Sequence, residues 1–321
     1  MQITHKENNM HYSPAPLHIP DNFLSLFIAI LFWGITASAV GMAISKTNKS
    51  LGEKQIPLMG VMAAFIFAAQ MLNFPVAGGT SGHFLGGALA AIVLGPWAAI
   101  LVMTAVIAVQ GLLFQDGGLV VMGANIFNMG VLTAVISFGL YRSVIGKSKG
   151  LRLAVAGIGA WLSTIAAALV TSLQLWLSGT SQLQIVLLPM LGVHVLIGIG
   201  EAIITVAALA FLERTRPDLL NEKATSEKGG RGWVVGGVLV SLIAVLLSPL
   251  ASSNPDGLER VAEDMGFLHL GQSAPFQILP DYTVPFLGQT PLSTIVAGAV
   301  GALVLLGLMI VIGQGLRKRK A

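Results

Sequence analysis

Two histidines stand at the borders of apolar runs, and their side chains set the chemistry this sequence can perform. His18 lies just ahead of a run that begins at Phe23, and His83 closes the stretch Asn73-Phe-Pro-Val-Ala-Gly-Gly-Thr-Ser-Gly-His83. Neutral imidazole is a donor for nickel, cobalt, copper or zinc. A histidine just before a membrane span folds back into a pocket only if its leader is short and stiff, and Pro14, Pro16 and Pro20 supply stiffness. Asp116 sits in Gln115-Asp-Gly-Gly118, where glycines let backbones approach closely. The chain has no cysteine, so any ion must be held by nitrogen, oxygen or thioether, and no disulfide framework exists. Taken alone, two such histidines are a weak metal signal, and ordinary surface residues are the plainer reading.

Other candidates lie inside apolar runs, where polar groups are costly and default to functional hypotheses. His194 and Glu201 are seven residues apart, which puts them on one helix face about two turns apart. Asn125 and Asn128 share a face at i, i+3. For all four, the plain alternative is interhelical hydrogen bonding that fixes packing. Gly79-Thr-Ser-Gly82 imitates the nucleophile motif of intramembrane serine proteases, with Ser81 as nucleophile and His194 as a conceivable base. One such motif is common in glycine-rich helices, so the protease is the alternative reading. Gly146-Lys-Ser148 hints at a phosphate-binding loop, but Tyr141 occupies the place of its first glycine, so no ATP site is expected there.

The elements that must position these residues are membrane helices. Of 321 residues, 55% are hydrophobic and 10% charged, and the mean hydropathy is +0.82, far above a soluble domain. A span needs about 20 apolar residues. Eight runs have nearly or fully that length: Phe23 to Ser45, Ile56 to Val76, Pro96 to Phe114, Gly123 to Tyr141, Leu151 to Leu177, Leu183 to Leu212, Trp233 to Leu250 and Ser293 to Gly315. A ninth, Phe84 to Gly95, is short. The fold expected is an all-α integral membrane protein of about nine transmembrane helices, seven in a binding unit and two in a C-terminal hairpin.

Basic loops favour the cytoplasm. Lys46, Lys49 and Lys54, then Arg142, Lys147, Lys149 and Arg152, the linker to Arg231, and the terminal Arg317 to Lys320 should therefore share that side. Equal parity requires the short Phe84 to Gly95 run to cross. The N-terminus is then outside, the C-terminus cytoplasmic, and Asn73 to His83, Gln115 to Met122, Ser178 to Gln182 and Ala251 to Leu292 lie outside. The last of these carries Asp256, Glu259, Glu263, Asp264 and Asp281 against one base, Arg260. Residues 1–22 form an external leader without signal-peptide order. Residues 23–216 form the binding unit, 217–232 a cytoplasmic linker, and 233–321 the hairpin. The net charge of +4 is accounted for by this topology and by lipid contact, and nucleic acid is not expected.

The run Leu17-His-Ile-Pro-Asp-Asn-Phe-Leu-Ser25, with Gly82-His83-Phe-Leu-Gly-Gly87, Gly95-Pro-Trp97, Gln115-Asp-Gly-Gly118 and Gly123-Ala-Asn-Ile-Phe-Asn-Met-Gly130, resembles CbiM/NikM. These are the substrate-binding membrane components of cobalt and nickel energy-coupling-factor (ECF) transporters. The resemblance spans roughly residues 17–212, and Ser252-Ser-Asn-Pro-Asp-Gly-Leu-Glu259 with its flanking helices looks like the PDGLE domain. It implies a plasma-membrane subunit that is not itself an enzyme. Such a subunit captures Ni2+ or Co2+ outside and delivers it inward with a coupling subunit (CbiQ/NikQ type) and ATPase subunits (CbiO/NikO type). In the family the ion is held by the amine of an initial Met, the amide nitrogen and imidazole of the next His, and an internal His. Carried over, the two imidazoles are His18 and His83, and Leu17 stands where the family has Met. Met10-His11, which would make a Met-His terminus if the chain began at Met10, or His11 or His5 by itself, are alternative sources of the missing nitrogen.

Overall fold

A computed structural model of the chain describes residues 18–217, 220, 232–272 and 274–318. Met10, His11, Leu17 and His5, nearly all of the linker, and Arg319 and Lys320 lie outside these described residues. In chain order, α1 (Leu26–Ser50) and α2 (Gln55–Gln70) precede a hairpin of β1 (Phe74–Val76) and β2 (Thr80–Gly82). There follow α3 (Gly87–Leu94), α4 (Pro96–Val109), α5 (Met122–Ile126), α6 (Thr133–Tyr141), α7 (Lys149–Leu177), α8 (Leu183–Thr215), α9 (Gly232–Leu247), α10 (Gly257–Asp264) and α11 (Pro291–Lys318). α4 continues as a wider π turn to Phe114, and a second π turn, Phe127–Leu132, joins α5 to α6 into one crossing. The result is a helical membrane protein in which, among the described residues, the small antiparallel hairpin, Phe74 opposite Gly82, is the one sheet.

Among the described residues seven helices are long and apolar enough to span a bilayer, fewer than the nine expected. The difference lies in α2, an apolar helix of 16 residues, and α3, which has 8. At 1.5 Å per residue α3 covers only about 12 Å of a roughly 30 Å hydrocarbon core. From the sequence, the short Phe84 to Gly95 run is expected to cross with help from its flanks; in the structure the run is helical only over α3, and the non-helical stretch His83 to Gly86 enters it through a left-handed Gly86 (φ 84°).

Non-helical backbone is tolerated at membrane depth only where protein satisfies its polar groups. Here Glu201, from α8, accepts the amides of Leu85 at 2.6 Å and Gly86 at 3.0 Å. Gln70 Nε2 donates to the Leu85 carbonyl at 2.8 Å. Every residue of α3 is buried, so this broken crossing sits inside a ring of helices, whereas α1 turns Phe27 (75% exposed) and Leu26 (66%) outward as lipid-facing side chains do.

Contacts between loops fall into two groups. At one end Asp21 pairs with Gln272, Ser252 N donates to the Asn73 carbonyl, and Thr180 Oγ1 donates to the Phe23 carbonyl. At the other, Arg317 meets Glu53, and Lys149 and Arg152 both meet Glu213. The C-terminal helices α9 and α11 pack along α2, and their connection folds back over the first end.

Candidate metal centre

His18 is carried on a segment that the 116–125 loop grips from one side. Gly118 N donates to the Ile19 carbonyl at 2.9 Å. Asn125 takes the Ile19 amide at 3.1 Å and returns a bond to its carbonyl at 3.0 Å. Asp21 accepts the amides of Leu119, Val120 and Val121 at 3.1, 2.9 and 3.2 Å, just ahead of α5, where orphan helix donors need an acceptor. The glycine pair is required by this fit. A Cβ on Gly117 (φ 95°) would stand 2.8 Å from the His18 Cβ, and one on Gly118 would stand 2.2 Å from Asp21 Oδ1.

The grip brings the His18 ring to the His83 ring, edge to face, with centroids 5.7 Å apart. Both rings line one cavity of ≈ 70 Å³, together with His194, Asn125, Asn128 and Asp256. In each of the three imidazoles Nδ1 faces an oxygen that can only accept. For His18 these are the Asp116 carbonyl at 3.2 Å and Oδ1 at 3.0 Å; for His83 it is the Phe84 carbonyl at 3.2 Å; for His194, the Met190 carbonyl at 2.7 Å. The proton of the neutral ring is therefore on Nδ1 and the lone pair on Nε2, the arrangement that fixes tautomer and aim in metal-binding histidines. His18 Nε2 is buried without a hydrogen-bond partner, so a donor atom is held ready with nothing to donate to.

Charges around His18 are coupled. Burial pulls its pKa down, but the Asp116 carboxylate and both hydrogen bonds to Asp116 outweigh burial and leave it raised above 6.5. Burial pushes Asp116 up, but His18 and the Tyr282 hydroxyl hold it below the usual carboxylate range. Asp256 is pushed up to about 7 by burial, against the amide bond from Glu259. Among the described residues no three His, Cys, Asp or Glu side chains converge closely enough to enclose an ion by themselves.

The remaining candidates separate by role. Asn128 forms a reciprocal amide pair with Gln174 at 2.8 and 3.1 Å and also donates to Thr171, a lock between the α5–α6 crossing and α7. Glu201 holds the broken crossing that follows His83. Ser81 is fully buried and donates its hydroxyl to the carbonyls of Asn254 at 2.8 Å and Pro255 at 3.3 Å. The structure therefore corrects the protease reading: the Ser81 hydroxyl is bonded to main-chain oxygens, and the Nδ1 proton of His194 to its own helix.

Three residues at the site were not singled out from the sequence. Asp21 gave a signal, a carboxylate between Pro20 and the first span. Asp256 gave one too, as the first residue of an Asp-x-x-Glu pair, and the structure shows that pair as a capping box on α10. Tyr282, whose hydroxyl donates to Asp116 Oδ2 at 2.6 Å, gave none.

Comparison with known proteins agrees with this layout. The family model for the cobalt uptake substrate-specific transmembrane region, CbiM, matches residues 18–219, and that for the PDGLE domain matches 231–318. A chain of Archaeoglobus fulgidus named as a proposed fused nickel transport protein, NikMN, is 37% identical over 91% of this chain and 96% of its own length. The fused nickel transport protein NikMN of Rhodobacter capsulatus is 29% identical over 95% and 100%. The cobalt transport protein CbiM of Geobacter sulfurreducens is 30% identical over 77% and 73%. A crystal structure described as that of a transition metal transporter superposes with a TM-score of 0.57 at 32% identity, over 66% of this chain and 100% of that one.

Proposed function

Since the chain belongs to the CbiM family, with a PDGLE domain following in the same polypeptide, we propose that it is the ion-capturing membrane subunit of a nickel or cobalt uptake system. The observation that carries this is the meeting of His18 and His83 at one cavity, 5.7 Å between centroids, each with Nδ1 tied back. Two imidazole nitrogens suit Ni2+ or Co2+. The backbone nitrogen of His18 and a donor from the leader complete the set, in line with Leu17, His11 or Met10 as candidates.

Orientation follows from charge. The end opposite the cavity carries Lys149, Arg152 and Arg317 in ion pairs, and basic loops stay cytoplasmic. The cavity then opens outside the plasma membrane and the C-terminus lies inside. Delivery inward depends on a transmembrane coupling subunit and ATPase subunits of the ECF type, which fits a chain whose sequence offers no complete phosphate-binding loop.

Titration of the purified chain with Ni2+ and Co2+ tests the reading. His83→Ala should abolish high-affinity binding with helix content unchanged, while Ser81→Ala should bind nearly as the parent does and show no change in proteolysis. Equal affinity in His83→Ala would remove the proposed site, and loss of a peptidase activity in Ser81→Ala would restore the rival class.

A further inference from the structure

The connection between α9 and α11 reaches the cavity twice. Asp256 lines it directly, and Tyr282 stands behind it. The Tyr282 ring stacks on Phe114 with centroids 4.7 Å apart at 17° and tilts against Phe67 at 6.0 Å. Leu279 N bonds the Leu113 carbonyl at 2.9 Å, so the loop is pinned beside the ring. The hydroxyl accepts from Gln110 Nε2 at 3.2 Å and spends its one proton on Asp116 Oδ2. The other carboxylate oxygen and the carbonyl of Asp116 face His18 Nδ1. Gln110 thus donates to Tyr282 and Tyr282 to Asp116, while His18, whose Nε2 is buried without a partner, donates from Nδ1 to the Asp116 carbonyl and lies 3.0 Å from its Oδ1, so the contacts converge on Asp116 from both sides.

The backbone marks the same place. Asp281 (φ 49°) and Tyr282 (φ 56°) are consecutive non-glycine residues in the left-handed region, a conformation that persists only where surrounding contacts over-determine it. Ring stack, hydroxyl bonds and main-chain bond are those contacts.

We propose that Tyr282 is a positioning residue for metal capture: its hydroxyl fixes the Asp116 carboxylate that holds His18 with Nε2 toward the cavity, so the C-terminal domain sets the aim of an imidazole in the other domain. This rests on the reading that His18 and His83 take the ion. Partners that orient a ligating histidine typically contribute 10–100-fold to metal affinity.

The variant Tyr282→Phe keeps the ring stack and removes only the hydroxyl. In full-length protein of unchanged helix content, its Kd for Ni2+ and Co2+ should rise about 10–100-fold. Because Tyr282 acts through Asp116, the same change made in an Asp116→Asn background should add little, a non-additivity that a general loss of packing does not produce. In metal-free protein labelled with 15N-histidine, His18 should lose its single Nδ1–H state in Tyr282→Phe. Parental affinity in Tyr282→Phe, or full additivity with Asp116→Asn, overturns the proposal. If the parent chain itself binds neither ion, the capture reading fails separately, and the nitrogen spectra still decide: an unchanged His18 signal in Tyr282→Phe overturns the positioning role as well.

Discussion

Replacing Glu201 should weaken this protein more than any other single polar change within its helices, because its carboxylate is the acceptor for backbone that no helix satisfies. The side chain is 1% exposed and takes the Leu85 and Gly86 amides at 2.6 and 3.0 Å. Side-chain hydrogen bonds between membrane helices average only about 0.6 kcal/mol, since alternative partners exist in the unfolded reference. These two donors precede an eight-residue helix and have no such alternative in place, so the cost of a buried unsatisfied group, about 1–3 kcal/mol each, is the better guide. Glu201→Leu orphans both amides and should cost about 2–6 kcal/mol by that figure. Glu201→Gln keeps one acceptor and sets an amide donor against the other, for about half of that loss. Denaturant titration in mixed micelles followed by far-ultraviolet circular dichroism should rank parent above Gln above Leu. Metal affinity should fall in the same order, because Leu85 and Gly86 anchor the non-helical stretch that begins with His83. Parent-like unfolding midpoints in both variants, with slopes unchanged, would refute the argument that this carboxylate holds the crossing.

Metal affinity should fall with acid from a pH above 6.5, because the raised pKa of His18 makes the proton a competitor earlier than at a free imidazole. Asp256, pushed up to about 7, adds its negative charge only above that pH. A pH-independent Kd between 6 and 8 with no proton release in calorimetry contradicts this. Without metal the sign for folding is the reverse: the stabilisation from the raised His18 pKa is complete below 6.5 and lost as pH rises through the folded value, while that from Asp116, held low, is lost only as pH falls through its own. Chelated protein should accordingly melt lower at pH 9 than at pH 7, and an unchanged melting temperature counts against the paired state. Asp21→Ala removes an acceptor shared by three amides and should cost about 1–2 kcal/mol, as loss of a helix cap does. It should also weaken metal binding by freeing His18, whereas Asp21→Asn retains most of both. Equal affinity in the alanine variant would show that Asn125 suffices to hold the segment.

The long spans were legible because an apolar run of sufficient length has few other destinations than lipid or a fully covered interior. The broken crossing was not legible as such. Phe84 to Gly95 is apolar throughout; the glycine pair Gly86-Gly87 is the one local hint that its first residues leave the helix, and what holds them there sits in Glu201, more than a hundred residues away. The same holds at the site. His18 and His83 could be singled out because imidazole beside apolar runs is rare and chemically specific. Asn125 could be singled out too, but its role could not, because a hydrogen bond to the backbone of Ile19 is a property of tertiary contact. Tyr282 lies in a loop with no periodicity, and its importance depends on a stack with Phe114 that only folding creates.

The C-terminal unit meets the rest of the protein in two different solvents, and this decides what holds it. Along α2 the packing of α9 and α11 is in lipid, where burying apolar surface against another helix gains little over contact with acyl chains. At the cavity end the contacts are polar: Ser81 N to the Pro255 carbonyl at 2.8 Å, Ser252 N to the Asn73 carbonyl at 2.8 Å, and Tyr282 to Asp116. Each such bond contributes about 1 kcal/mol net, beside the close small-residue packing of Gly60, Gly237, Gly298 and Gly301 along α2, of the kind that associates helices in lipid. Joined in one polypeptide, the two parts meet at an effective concentration on the millimolar scale, and bonds of that strength are enough. Covalent fusion thus makes it possible for the loop's aim at the cavity to depend on a few short hydrogen bonds, and leaves each of them open to being broken without loss of the membrane fold.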